Sequence, residues 1–159
     1  MAKILVVFMI SILSFLSGTA RSEEKLAAAS CIDLPHSDGN IKNICDRNGQ
    51  KNLMIEFFSP GCPACHRNVP QFKKLEEETK NFAYSKLISL KNQQQTASFI
   101  ARYNINTEVV FDSSSEAYDL YSVRGVPTTI VINQYNQIIY RFSGFLSDGE
   151  IGKIRKLVE

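Results

Sequence analysis

Two cysteines spaced C-x-x-C, Cys62 and Cys65, lie where an apolar run hands over to an amphipathic one, in Phe57-Phe58-Ser59-Pro60-Gly61-Cys62-Pro63-Ala64-Cys65-His66. A strand leading in and a helix leading out put Cys62 at the first turn of that helix. There the positive end of the macrodipole and orphan backbone N–H groups favour thiolate over thiol. Cys62 is therefore the expected nucleophile. Cys65, one turn further in, can attack the mixed disulfide that Cys62 forms with a substrate, which releases the substrate and closes a small ring. The pair reads as a redox centre that needs no cofactor.

Other chemistry would use the same residues differently. Zinc needs more ligands, and the only other candidates are Cys31, Cys45, His36 and His66, with no second C-x-x-C and no H-x-x-x-H. Cys62-Pro63-Ala64-Cys65-His66 is also formally C-x-x-C-H, the string that attaches c-type haem. Strand-rich flanks weigh against haem, as does a choice of sixth ligand limited to Met54 and His36. A plain structural disulfide between Cys62 and Cys65 would contribute little, because a two-residue loop removes little chain entropy.

The elements that must position this pair follow from periodicity. Leu53-Met54-Ile55-Glu56-Phe57-Phe58 is apolar on both alternating faces, the mark of a central strand covered on both sides. Glu56 shares a face with Met54 and Phe58. A desolvated carboxylate there has a raised pKa and suits proton transfer near neutral pH, taking the proton of Cys65 through water. Pro63 through about Lys80 suits a helix with Val69, Phe72, Leu75 or Glu76, and Thr79 recurring at helical spacing, Glu76-Glu77-Glu78 most simply its solvated face, His66 outward, and a kink where Pro70 enters.

Phe82 through Leu90 is strand-like, and Gln93 through Tyr103 suits a second helix with Ala97, Ile100, Ala101 and Tyr103 inward. Val109-Val110-Phe111 is a short strand, and Ser113-Ser114-Ser115-Glu116 forms an N-cap region for a helix reaching Tyr121. Val123 through Thr129 leads into a strand at Ile130-Val131-Ile132, and Asn133 through Gln137 turns it back into Ile138 through Phe142. Ser147-Asp148-Gly149-Glu150 caps a last helix with Ile151, Ile154, Leu157 and Val158 inward. This order predicts an α/β sandwich, a central mixed β-sheet flanked by helices.

At 159 residues, 44% hydrophobic and 21% charged, the chain has the size and composition of one soluble domain. A formal charge of +2 with no basic stripe excludes nucleic acid as an expected partner. Residues 1–20 read as a signal peptide: Lys3, an apolar run from Ile4 through Leu16, then Ser17-Gly18-Thr19-Ala20 for cleavage. The run is shorter than the roughly 20 residues that span a bilayer, which argues against an uncleaved anchor. Export, to the periplasm in a bacterium, allows disulfides to persist. With Cys62 and Cys65 paired, Cys31 and Cys45 remain. A bond between them closes a loop of about 15 residues and reads as a structural staple of roughly 3 kcal/mol, with a second redox pair that relays electrons to Cys62 and Cys65 as the alternative. Residues 21–50 form an N-terminal extension whose Ile32, Leu34, Ile41 and Ile44 cover the core. Turns are expected at Asp38-Gly39-Asn40 and Asp46-Arg47-Asn48-Gly49. Residues 51–159 are the main domain.

Taken together, the C-x-x-C after a buried strand, Pro70 five residues beyond Cys65, and Val126-Pro127-Thr128 leading into a hairpin and last helix resemble the thioredoxin superfamily, over about residues 32–159. The resemblance implies a thioredoxin-like three-layer sandwich with a cis peptide before Pro127, set against Cys62. It implies that Val126, Pro127 and Thr128 pair with an extended substrate, with Pro63 and Ala64 beside it. It also puts Glu56 at the position of the family's buried acid. The 62 positions from Cys65 to Pro127, the export signal and the extension resemble the TlpA-like branch of envelope thioredoxins. That branch implies an extracytoplasmic thiol–disulfide oxidoreductase that reduces or exchanges disulfides in exported proteins, partnered by a membrane electron donor or acceptor. Cys62 would be its nucleophile, Cys65 its resolving thiol, Glu56 its proton shuttle, and Pro127 would shape its groove. The chain departs from the family pattern in having Gly61 where an aromatic usually precedes the first cysteine, and in its Pro63-Ala64 dipeptide. A disulfide oxidase or isomerase is the alternative within the class. A redox-inert binding domain or haem protein is the alternative outside it.

Overall fold

The run that leads to Cys62 is the middle strand of a five-stranded sheet in the computed structural model, which describes residues 26–47 and 51–159. The expected signal peptide and Asn48-Gly49 lie outside the described residues. This strand, β3 in chain order (Asn52–Phe58), pairs in parallel with β4 (Ala83–Ser89) and antiparallel with β6 (Thr128–Ile132). β5 (Glu108–Phe111) extends the sheet in parallel beyond β4, and β7 (Ile138–Ser143) closes the other edge antiparallel to β6. The sheet is mixed, in the order β5-β4-β3-β6-β7.

Two cores result from the strand alternation. Met54 and Phe58 face α1 (Pro63–Thr79), α2 (Gln93–Tyr103) and α4 (Asp148–Val158), in a cluster with Phe72, Leu75, Phe99, Ile151 and Ile154. Leu53, Ile55 and Phe57 face the opposite way, toward α3 (Glu116–Leu120) and the N-terminal segment, among Leu34, Ile44, Tyr121 and Val123. Each such fully buried apolar side chain contributes about 1.5 to 3 kcal/mol, which explains why the uninterrupted apolar run seats at the centre. The thioredoxin-like three-layer arrangement expected from the sequence is the one observed.

The N-terminal segment forms a small antiparallel pair, β1 (Asp33–Pro35) with β2 (Ile41–Asn43), stapled by a Cys31–Cys45 disulfide. It reaches both edges of the main sheet. Ser37 N–H donates to Val109 O on β5, while Ala29 N–H donates to Asn136 O and Ala27 O accepts from Ile138 N–H beside β7. Leu34 and Ile44 are buried and Ile32 is half-buried, but Ile41 is 64% exposed, contrary to expectation. It pairs with Pro35, and the burial pattern of the pair turns Leu34 rather than Ile41 toward the sheet.

Three helix details differ from the sequence reading. The inward face of α2 is Thr96 and Phe99, with Ile100 and Tyr103 half-buried and Ala97 and Ala101 exposed. Phe99 packs on Phe58 at 4.9 Å between ring centroids, and the Thr96 and Ser89 hydroxyls bond at 2.7 Å, so these larger contacts set the helix rotation. In α4, Ile151, Ile154 and Val158 are buried but Leu157 is 46% exposed. None of the three serines caps α3 with its side chain; the buried Asp112 carboxylate takes the N–H groups of Ala117 and Tyr118 instead. Ser147 caps α4 as expected, accepting from Glu150 N–H.

Candidate functional site

Cys62 is the N-cap of α1, in extended backbone, with Pro63 at the first helical position. Proline suits that position because its fixed φ is already helical and its missing N–H would have no intrahelical partner. The sulfur of Cys62 accepts from Cys65 N–H at 3.1 Å and donates its S–H to the carbonyl of Val126 at 3.4 Å. Both cysteines are free thiols, Cys62 half-buried and Cys65 fully buried. Gly61 before them is exposed, and a Cβ added to it would meet no atom within 4 Å. The approach to Cys62 from that side is open.

The Val126–Pro127 peptide is cis, and the segment is held from behind by Gly144 N–H, which donates to Pro127 O at 2.9 Å. β6 runs antiparallel to β3, so Thr128 pairs with Phe57 and the start of β6 falls at the end of β3 that carries the cysteines. Of the expected contact residues, Pro63 is exposed, Ala64 and Val126 are half-buried, and Pro127 is buried. The Thr128 side chain is turned inward, its hydroxyl donating to Gly125 O and bonding Ser143 Oγ.

Beneath the thiols, Glu56 is 2% exposed. Its Oε2 accepts from Asn68 Nδ2 at 2.8 Å and Thr129 Oγ1 at 3.2 Å. Burial pushes its pKa up to about 8, and the two hydrogen bonds pull against that rise without cancelling it. Burial also pushes the Cys65 thiol well above its ordinary range, aided by its hydrogen bond with Cys62 and by the charges of Cys62 and Glu56. Glu56 and Cys65 line one cavity of about 10 Å³, walled by Phe58, Val69, Phe72 and Phe99. That is about the room one water needs.

Two residues gain a part that the sequence reading did not assign. Asn68, 0% exposed, bridges Glu56 through Nδ2 and Leu146 N–H through Oδ1, tying the acid to the segment before α4. Its signal was available: a polar residue on the inward stripe of a helix, three positions after Cys65 and one before Val69. His66 does not simply face solvent. It is half-buried, with Nε2 2.8 Å from Pro60 O and Nδ1 2.8 Å from the Tyr103 hydroxyl, against the ring of Phe99. A carbonyl only accepts, so Nε2 carries a proton, and Nδ1 bonds the Tyr103 hydroxyl. Both ring nitrogens are used in holding α2 against the Ser59-Pro60-Gly61 loop, which leaves neither for a haem iron. Cys31 and Cys45 lie apart from this cluster, in the N-terminal segment on the Phe57 face of the sheet.

Comparison with known proteins agrees with this geometry. The Redoxin family matches residues 21–157. The chain is 26% identical over 111 residues to the thiol-disulfide oxidoreductase ResA of Halalkalibacterium halodurans, covering 69% of this chain and 63% of the relative. It is 24% identical over 137 residues to the sporulation thiol-disulfide oxidoreductase A of Bacillus subtilis, covering 83% and 82% of the two chains. Among solved structures, a thiol-disulfide oxidoreductase from Bacteroides fragilis superposes with a TM-score of 0.72 at 21% identity, over 82% of this chain and 98% of that one. With a thioredoxin-like sheet, a dithiol at the head of α1 and a family match that runs nearly from end to end, the chain belongs to the Redoxin family, among the thioredoxin-like oxidoreductases.

Proposed function

We propose that this protein is an extracytoplasmic thiol–disulfide oxidoreductase that reduces or exchanges disulfides in exported proteins through Cys62 and Cys65. The observation that carries the reading is the setting of the two sulfurs. Cys62 Sγ is half-buried at a helix N-terminus, with the Cys65 N–H on it, while Cys65 is held protonated beneath it beside a buried carboxyl. That asymmetry separates an entering thiol from a resolving one.

The steps follow from it. The Cys62 thiolate attacks one sulfur of a substrate disulfide; the S–S bond breaks as the Cys62–S bond forms, and the other substrate sulfur departs as a thiolate. Forming the mixed disulfide removes the negative charge that opposed ionisation of Cys65. Cys65 then gives its proton to Glu56 when that carboxyl is in its ionised form, across a cavity sized for one water, and attacks the Cys62 sulfur. The second substrate sulfur departs as a thiolate, and two electrons have moved from the dithiol to the substrate. A carboxyl titrating at about 8 can take up and return that proton close to neutral pH. Val126, Pro127 and Thr128 offer backbone to an extended substrate, with Pro63 and Ala64 on the opposite rim. A membrane electron donor would regenerate the dithiol. Export rests on the signal-like residues 1–20. Residues 21–50 are read as an extension packed on a domain of 51–159. Among the described residues no helix is long and apolar enough to cross a membrane.

The direction is tested by the reduction potential of the couple in the mature protein, equilibrated with glutathione or dithiothreitol buffers. A reductase is expected near the thioredoxin end of the scale, around −270 mV, whereas a value near −120 mV would make the protein an oxidant. Cys62→Ser should abolish turnover of a disulfide substrate; full activity in that variant would remove the dithiol from the mechanism.

A further inference from the structure

Beside the Val126–Pro127 segment is a second concavity, of about 370 Å³, lined by Ser122, Arg124, Arg141 and Ser143. Its position is set by the same sheet rows that set the dithiol. Ser143 pairs with Thr128, which pairs with Phe57, so the pocket opens at the end of the sheet where β3 delivers Cys62. Ser122 and Arg124 lie immediately before Val126, and Ser143 immediately before the Gly144 N–H that holds Pro127. With strands about 4.8 Å apart, the pocket lies within roughly 10 Å of the Val126 carbonyl that Cys62 touches.

The chemistry of the lining is one-sided. Two arginines and two serines line the pocket, the Ser143 hydroxyl being bonded to Thr128 Oγ1, and among the described residues no carboxylate lines it. Among the described residues neither Arg124 nor Arg141 makes an ion pair, whereas Arg155 meets Glu78 and Glu159. Burial lowers the pKa of Arg141, offset among the described residues by the Tyr121 hydroxyl, which is itself buried and has no hydrogen-bond partner among them. Paired guanidiniums at a concave surface focus positive potential, and their planar forks match a carboxylate.

We infer that Arg124 and Arg141, with the Ser122 hydroxyl, form a subsite for an acidic side chain of the polypeptide substrate, placed about three extended residues from the cysteine that reacts with Cys62. The inference rests on the oxidoreductase reading and sharpens it: the site selects disulfides flanked by Asp or Glu. Because the subsite sits on the Phe57 face, beyond the cis segment, it does not compete with the sulfur for space.

The test uses the full mature protein and two disulfide-linked peptides that differ only in carrying Glu or Gln three residues from the reacting cysteine. The kcat/KM ratio of Glu to Gln peptide should be about five- to tenfold, the range of a charge-assisted pair at a partly open site. It should fall toward one as salt rises from 20 to 500 mM, values chosen to span the screening range. In Arg124→Gln/Arg141→Gln the ratio should be near one already at low salt. A ratio near one in the native protein, or a preference that survives the double substitution or high salt, overturns the subsite. Failure to exchange either peptide would instead overturn the oxidoreductase reading on which it rests. The salt series needs no variant, so the conclusion holds even if the double variant folds poorly.

Discussion

At Glu56 burial and hydrogen bonding act against each other. Burial at the centre of β3 favours the neutral acid, while Asn68 and Thr129 donate to Oε2 and favour the carboxylate; burial prevails and the pKa rises to about 8. The consequence for stability has a definite sign. Between the ordinary carboxyl value near 4.5 and about 8, the folded chain keeps a proton that the unfolded chain releases. The protein should therefore lose stability as pH rises through that window. Glu56→Gln should flatten this slope and leave the variant more stable than the native protein above pH 8, measured by denaturant titration across pH. The same change should slow release of the mixed disulfide by about 10²-fold, the lower range for losing a positioned acid–base group. An unchanged slope would remove Glu56 from the proton balance. Glu56 was legible as a lone acid in an apolar run. Asn68, its partner, was visible only as a polar interruption of a helix stripe, whose meaning depends on what lies opposite.

At the scale of elements, α3 shows how a short helix is specified from outside itself. Five residues cannot stabilise a helix through propensity, since nucleation costs more than so few hydrogen bonds return. Its free N–H groups are met by Asp112, anchored at the end of β5 where its own N–H donates to Ser89 O. Asp112→Ala should cost about 1 to 2 kcal/mol, read from chemical denaturation, because one buried and one half-buried donor lose their acceptor. Ser115→Ala should be nearly neutral; the reverse ranking would restore the cap to the serines. The polar cluster Ser113-Ser114-Ser115 marked a helix start correctly, but which oxygen reaches the N–H groups depends on the backbone path, and Ser115 adopts φ +64°. In α4 the inward face was read correctly at Ile151, Ile154 and Val158, with only Leu157 turned outward, whereas in α2 the helical period was correct and the inward edge was not. The rotation of α2 is decided by Phe99 against Phe58, not by hydrophobicity counted along the helix.

Across the whole molecule, the N-terminal segment is bound to the sheet by a covalent and an ionic clamp at one place. Cys45 is tied to Cys31, while the fully buried Lys86 on β4 donates to Asn43 O and Asp46 O on either side of Cys45 and pairs with Glu108 at 3.1 Å. Burial presses the Lys86 pKa down against that partner. Loss of the disulfide in Cys31→Ser/Cys45→Ser should cost about 3 kcal/mol, as the loop length dictates. For a domain of this size that is a fall in Tm of roughly 6 to 12 °C. The potential and turnover of the Cys62–Cys65 couple should stay as they were. Loss of turnover at a temperature where the variant is folded would instead make Cys31 and Cys45 an electron relay.

The strand and helix order, the covered central strand, the dithiol at a helix head and the acid beneath it were determined by the chain's own sequence. They depend on short-range periodicity and on the spacing of four residues, which any fold of this chain must respect. The partners of the buried polar groups, the rotation of α2, the cap of α3 and the gathering of Arg124 and Arg141 at one end of the sheet were decided only by the tertiary structure. The α3 cap is local, between Asp112 and the N–H groups of Ala117 and Tyr118, but depends on the backbone path; the others are contacts between separate segments. Such contacts depend on strand register and on the shape of the opposing surface, neither of which a local pattern contains.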